Sequence, residues 1–185
     1  MRTTPTTRVS PLKSVSTSFS TSSSDTGAPL AKLQSDLREF IALLNSHAVE
    51  YLVVGGHAVA FHGHPRFTGD IDFLVRPTAD NAARVLDAIR EFGFGDLALE
   101  PEDFTTPERI VQLGRPPNRI DILTSISGVE FDEAWIGRVP AELDEQQVNF
   151  LGWDALIRNK KASDRDKDRS DVAKLLAVAA RKGGS

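Results

Sequence analysis

The chain of 185 residues is 40% hydrophobic and 26% charged, a composition typical of one folded domain with an apolar core. Its net charge of −4 excludes a basic field over the whole protein but leaves room for a local basic patch. The absence of cysteine excludes disulfide frameworks and zinc–thiolate sites, and nothing indicates secretion. Because no apolar run approaches the roughly 20 residues of a membrane helix, we expect a cytoplasmic protein without a membrane segment.

The first 28 residues differ from the rest of the chain. They are rich in Ser and Thr and contain no acidic residue before Asp25. Such a segment buries too little apolar surface to offset the cost of ordering it, so we predict a disordered tail over 1–28, or a start codon placed too early. Arg2, Arg8 and Lys13 among many hydroxyls leave a transit peptide as the alternative. The folded domain is predicted over 29–182.

Hydrophobic periodicity predicts alternating helices and strands in the first half of this domain. A continuous apolar run at 51–54 is typical of a strand covered on both faces, and the glycine pair after it ends the strand. Thr78 can cap the helix that follows the second strand. The predicted elements are helix 30–44, strand 51–54, a helix opening at 57–61, strand 69–75 and a helix from 78 to about 92.

The second half is predicted to be a hairpin followed by a helical carboxy terminus. Residues 93–108 combine glycine, proline and acidic side chains, which favours an irregular segment. The predicted elements are strands 110–113 and 119–125 around a proline turn, helix 131–136, strand 147–151, and helices 153–162 and 166–180. Together these elements predict an α+β fold with a mixed sheet flanked by helices.

Three aspartates on predicted strands are the candidate catalytic residues. In an extended strand, Asp70 and Asp72 point to the same face, roughly 7 Å apart along the backbone. The strand over 119–124 would deliver Asp121 in the same manner. Carboxylates gathered on one face repel each other unless divalent cations neutralise them. The pattern therefore indicates Mg²⁺-dependent phosphoryl or nucleotidyl transfer.

The Gly55-Gly56 pair is a candidate phosphate-binding turn. A glycine turn that opens a helix lets the backbone approach a ligand and directs N–H groups at an anion. Such a pair is more often only a turn. Thirteen residues separate Gly56 from Asp70, however, and this placement would hold a triphosphate beside the carboxylates.

These motifs together resemble the DNA polymerase β-like nucleotidyltransferase superfamily. The residues that carry the resemblance are Val54-Gly55-Gly56, Asp70-Ile71-Asp72-Phe73 and Ile120-Asp121-Ile122. The stretches Arg66 to Asp72, Asn159 to Ala162 and Arg165 to Asp168 are similar to small bacterial members, including AbiEii-type toxin nucleotidyltransferases and relatives of antibiotic-modifying enzymes. The resemblance covers about residues 30–180 and implies the polymerase β-like fold.

The resemblance implies a role for each motif residue. Asp70 and Asp72 would bind the nucleotide-associated Mg²⁺ ions, and Asp121 would complete the second metal site and help activate the acceptor hydroxyl. Gly55 and Gly56 would contact the triphosphate. Many family members have Ser where this chain has Gly56, so here the phosphate contact falls to the backbone.

Three further side chains are candidate nucleotide ligands. Arg66 can offer a planar fork to phosphate and Thr68 a hydroxyl, the alternatives being a solvated arginine and a turn threonine. Lys160 follows Leu156 by one turn on the inward stripe of its helix, which favours contact with a phosphate or an acidic cluster over snorkelling to water. Asp168 is interpreted as structural support, which could pair with Lys160 or Arg165 or simply favour the helix N-terminus.

The leading hypothesis is a nucleotidyltransferase that moves NMP from an NTP to an acceptor hydroxyl, with two Mg²⁺ ions and release of pyrophosphate. A toxin acting on tRNA or protein would need a basic approach surface. Six residues near the carboxyl terminus could supply it: Arg158, Lys160, Lys161, Arg165, Lys167 and Arg169.

Other functions stay open on the sequence alone. An aminoglycoside-like acceptor would need an acidic pocket, to which Glu100, Glu102 and Asp103 could contribute. A metal-dependent phosphohydrolase would use the same carboxylates with water as acceptor. A catalytically silent binding or regulatory module would keep the fold alone. The short chain predicts that an antitoxin partner or a homodimer completes the site.

Overall fold

The computed structural model describes residues 29–65, 68–115, 118–143 and 145–182. The predicted disordered tail over 1–28 and the predicted phosphate ligand Arg66 lie outside these ranges. Within them, no helix combines the length and the apolar character that crossing a membrane requires.

Helices and strands alternate along the described chain. A π-helical turn, Arg90–Phe94, directly continues the third helix. The elements in chain order are α1 Pro29–Ser46, β1 Tyr51–Val54, α2 Gly55–Phe61, β2 Asp70–Val75, α3 Ala79–Ile89, α4 Glu102–Thr105, β3 Ile110–Arg115, β4 Asn118–Leu123, α5 Phe131–Ile136, β5 Val139–Leu143, β6 Gln146–Phe150, α6 Trp153–Ser163 and α7 Asp166–Lys182.

The strands of the described ranges form one mixed sheet in the order β3-β4-β2-β1-β6-β5. β2 pairs with β4, and β1 with β6, in parallel. The remaining neighbours, β1 with β2, β3 with β4 and β5 with β6, are antiparallel. The predicted α+β fold with a mixed sheet flanked by helices is therefore confirmed.

One face of β2 is filled by the hydrophobic core. The rings of Phe40 in α1 and Tyr51 in β1 pack against Phe73, with centroid distances of 5.7 and 5.4 Å. Phe73 is fully buried by these contacts. Because side chains alternate along a strand, Asp70 and Asp72 point to the opposite face of the sheet. The core thus determines which face is left for the polar side chains.

Two described elements were not predicted, and one predicted helix ends in a π-helical turn. β5 contains Pro140, which cannot donate to a ladder, and its place at the sheet edge satisfies that constraint. α4 lies inside the segment that was expected to be irregular. The helix expected to end at about Phe92 is α-helical to Ile89 and continues through the π-helical turn to a kink at Gly93, whose φ is 100°.

A buried ion cluster joins α6 to α7. Lys160 is 3% exposed, and its Nζ donates to Oδ1 of Asp168 at 2.6 Å and lies 3.2 Å from Oδ2 of Asp171. Nε of Arg165 donates to the other oxygen of Asp168, also at 2.6 Å. The predicted supporting role of Asp168 is confirmed, since it pairs with both Lys160 and Arg165. Burial by itself raises the pKa of Asp168, but the hydrogen bonds from Lys160 and Arg165 outweigh it and lower the pKa to about 2.

Asp168→Ala is expected to lower the free energy of unfolding by about 3–5 kcal/mol, because it leaves the buried ammonium of Lys160 with less compensation. Urea denaturation near neutral pH measures the change. Because the pKa of Asp168 is lowered, its contribution is complete above the ordinary value of 3.8 and is lost as the pH falls toward about 2.

The matched control is Asp166→Ala, since the Asp166 side chain is 96% exposed in the same first turn of α7. It should cost less than about 1 kcal/mol, as exposed ion pairs do. Equal losses for the two variants would show that the buried cluster does not stabilise the α6–α7 contact.

Candidate active site

The parallel pairing of β2 and β4 brings the three predicted carboxylates together. In this register Asp72 lies beside Asp121, and Asp70 lies beside Arg119. All four side chains line one cavity of about 470 Å³ between the sheet and the α6–α7 junction. The structure therefore places Asp70, Asp72 and Asp121 on one face of the sheet, as the sequence predicts.

The cavity also contains most of the other predicted site residues. Gly55 and Gly56 line it at the carboxyl end of β1, next to Asp72. Thr68 and Lys160 line it as well. The strand, the glycine turn and α6 therefore contribute to a single site.

Gly55 allows the backbone to lie directly against Asp72. Its φ is +61°, a conformation that favours glycine. A Cβ at this position would lie 1.9 Å from Oδ2 of Asp72. A glycine is therefore needed both for the turn and for the position of the carboxylate.

Arg119 is a site residue that the sequence analysis missed. Its Nη2 donates to Oδ2 of Asp70 at 2.6 Å and to Oδ2 of Asp121 at 2.9 Å, and its Nε donates to Oδ1 of Asp121 at 2.8 Å. One guanidinium thus bridges two of the three carboxylates. The sequence does contain a signal for this position. Arg119 precedes Asp121 by two residues, and strand alternation places both side chains on one face.

Further hydrogen bonds orient the same two carboxylates. The Thr68 hydroxyl donates to Oδ1 of Asp70 at 2.7 Å, and Nε2 of Gln112 donates to Oδ1 of Asp121 at 3.3 Å. Gln112 lies beside Asp121 in the β3–β4 register. Among the residues that the structure describes, none donates a hydrogen bond to the carboxylate of Asp72.

The electrostatics of the site disfavour ionised Asp72. Burial, and then the negative charges of Asp70 and Asp121, raise the pKa of Asp72 to about 6, although Lys167 and Lys160 act in the opposite direction. Burial also raises the pKa of Asp121 despite its hydrogen bonds from Arg119. At Asp72, therefore, the positive charges of the site do not fully balance its negative charges.

The donor set fits a hard divalent cation in its chemistry. Carboxylate oxygens are the ligands that Mg²⁺ prefers, and crowded carboxylates gain most from a cation. Within the described part of the chain, no three acidic or histidine side chains already stand in position to hold one ion together. Arg119 engages oxygens of Asp70 and Asp121, so a cation bound by these residues would compete with the guanidinium.

Lys160 reaches an acidic cluster, but not the cluster on the sheet. Although it lines the cavity, its ammonium pairs with Asp168 and Asp171 of α7. Snorkelling to water does not occur, because the side chain is buried. Contact between Lys160 and a nucleotide stays a prediction.

The predicted basic surface is largely neutralised by ion pairs within the chain. Arg158 pairs with Glu133 at 2.6 Å, and Arg169 pairs with Asp164 at 2.9 Å and also with Asp166. Arg165 and Lys160 are engaged in the buried cluster. The cationic surface expected for a nucleic-acid acceptor is therefore weaker than the count of basic residues indicates.

The predicted acidic pocket residues lie elsewhere. Glu100, Glu102 and Asp103 belong to α4 and the residues before it, and none of them lines the cavity. Glu108 lines it instead, in a left-handed backbone conformation with φ of 60°. Glu100, Glu102 and Asp103 therefore do not contribute to this cavity, and Glu108 is an acidic residue that does.

Comparison with known proteins identifies a family and a fold. A family described as "Nucleotidyl transferase of unknown function (DUF2204)" matches residues 33–185. Among solved structures, a candidate nucleotidyltransferase from Thermotoga maritima has a TM-score of 0.54 at 17% sequence identity. That match covers 80% of this chain and 94% of the other, and at this identity it shows a shared fold alone. No curated protein matches the sequence.

Gly55→Ala is expected to lower the free energy of unfolding by about 1–3 kcal/mol, because the added Cβ collides with Asp72 in a strained backbone conformation. Chemical denaturation measures the loss. Gly95→Ala is the matched control, since its nearest atom would lie 3.9 Å away. Similar stabilities for the two variants would contradict the close packing of Gly55 on Asp72.

Asp72→Asn is expected to stabilise the metal-free protein by about 3 kcal/mol at about pH 8, measured by urea denaturation with a chelator. Because the pKa is raised, folding forces the ionised carboxylate into an unfavourable site, so wild-type stability falls as the pH rises from 3.8 to about 6. Asn is neutral throughout, so the gain should vanish below about pH 4. A gain independent of pH, or the same gain for the exposed control Asp96→Asn, would contradict this explanation.

Proposed function

We propose, because the chain belongs to this nucleotidyl transferase family, that it transfers a nucleotidyl group from an NTP to an acceptor hydroxyl. The single observation that carries the proposal is the group of Asp70, Asp72 and Asp121 around the Gly55 turn, at one end of a cavity of about 470 Å³. A cavity of this size falls in the range of small-molecule sites.

The reaction is an in-line displacement at the α-phosphorus. The acceptor oxygen forms a bond to phosphorus, the bond from phosphorus to the oxygen bridging to the β-phosphate breaks, and pyrophosphate leaves. The proton of the acceptor hydroxyl passes to the carboxylate of Asp121. Bound Mg²⁺ would neutralise phosphate charge and lower the cost of gathering the carboxylates, with Asp70, Asp72 and Asp121 as its ligands.

The remaining residues position these groups. Thr68 orients Asp70 by its hydrogen bond, and the backbone of Gly55 and Gly56 contacts the triphosphate. Arg66 stays a predicted phosphate ligand. Arg119 neutralises Asp70 and Asp121 and holds them on the shared face of the sheet.

Two classes of acceptor follow from the resemblance to small bacterial enzymes. A toxin of the AbiEii type would modify tRNA or protein in the cytoplasm, with an antitoxin or a second copy as partner. An antibiotic-modifying enzyme would take a small cationic acceptor. The placement of Glu108 in the cavity and the ion-paired basic surface favour the small cationic acceptor.

The test is incubation of the full chain with each α-labelled NTP, Mg²⁺ and cell extract. Label is expected in an acceptor, and Asp70→Asn, Asp72→Asn or Asp121→Asn should each reduce its transfer by about 100-fold or more. Asp96→Asn is the control for an exposed aspartate. Transfer that survives all three substitutions would overturn the proposal.

Other outcomes separate the alternative functions. Loss of NTP without transfer of label would indicate a phosphohydrolase, and neither Mg²⁺-dependent NTP binding nor turnover would indicate a silent module. Growth arrest on expression, relieved by a partner protein, would support the toxin. Pyrophosphate release that depends on an aminoglycoside would support antibiotic modification.

A further inference from the structure

Four cationic side chains of the described ranges line the cavity, and three of them are engaged by carboxylates. Arg119 bridges Asp70 and Asp121. Lys160 and Arg165 both pair with Asp168 in the buried cluster. The fourth is Lys167, for which no described residue supplies a hydrogen bond or an ion pair.

Lys167 has the position that a phosphate ligand requires. It lies in the first turn of α7, immediately before buried Asp168, and its own side chain is exposed and lines the cavity. Its charge also acts on Asp72, at the carboxylate end of the cavity. The first turn of α7 therefore brings to the cavity an ammonium that has no ion pair among the described residues.

The charge of the substrate requires such a group. A triphosphate brings several negative charges to a site that already holds three carboxylates, and cations must offset them. Lysine is a common phosphate ligand, with three donors that rotate to suit the oxygens. Lys160 cannot leave its partners without removing a cation from between buried Asp168 and Asp171, which is costly.

We propose that Lys167, and not Lys160, is the lysine of the α6–α7 junction that binds the triphosphate of the NTP. This inference rests on the proposed nucleotidyl transfer and names the residue that binds the polyphosphate portion of its substrate. Lys160 is then a positioning residue that holds α7 against α6 and so places Lys167 over the cavity.

The experiment compares Lys167→Ala with Lys174→Ala in the full chain. Lys174 is exposed on the same helix, two turns further along, and does not line the cavity, so its substitution makes the same change in net charge. Isothermal titration with Mg²⁺ and tripolyphosphate, and then with each NTP, measures the dissociation constants. Urea denaturation of both variants checks that neither loses its fold.

Lys167→Ala should weaken binding of tripolyphosphate and NTP by about 10- to 100-fold, as the loss of a charge-assisted contact does. Lys174→Ala should match the wild type, and Lys167→Arg should recover most of the affinity. In the transfer assay, the KM for NTP should rise more than kcat falls, because the contact is present in the ground state and in the transition state.

The proposal is overturned if Lys167→Ala binds tripolyphosphate and NTP as tightly as Lys174→Ala. It is also overturned if the wild-type chain binds neither probe. The label-transfer assay distinguishes failure of the Lys167 proposal from failure of the proposed nucleotidyl transfer. Transfer that continues without dependence on Lys167 removes this inference alone, whereas absence of both binding and transfer removes the nucleotidyltransferase proposal as well.

Discussion

The parallel register between β2 and β4 is the constraint on which the site depends. It sets Asp72 beside Asp121 and Asp70 beside Arg119 on the one face of the sheet that the core leaves open. Burial and mutual repulsion then raise the pKa of Asp72 to about 6. The fold thus maintains a concentration of negative charge that works against its own stability, which is typical of functional sites.

Two neighbouring residues accommodate this concentration of negative charge. Gly55 has no Cβ, so the chain can turn directly against the Asp72 carboxylate. Arg119 places one guanidinium between Asp70 and Asp121 and compensates part of their charge. Asp72 is left with the least compensation of the three, and it is therefore the carboxylate that gains most from an added cation.

The same logic separates the two lysines of the α6–α7 junction. Lys160 is buried, and its charge is balanced by Asp168 and Asp171, so it joins two helices. Lys167 is exposed beside the cavity and has no hydrogen bond or ion pair with a described residue. Helical periodicity alone could place Lys160 on an inward stripe, but it could not identify which acidic cluster the ammonium would reach.

The sequence by itself determined the main elements, the α+β class and the shared direction of Asp70 and Asp72, because these depend on local periodicity and strand alternation. It did not reveal β5, whose weak burial pattern and proline hide an edge strand, or the bridging of two carboxylates by Arg119. Only the tertiary structure decided which strand pairs with β2, which acidic residue lines the cavity, and which cations are already paired. Those outcomes depend on contacts between residues distant in the chain, about which local pattern carries no information.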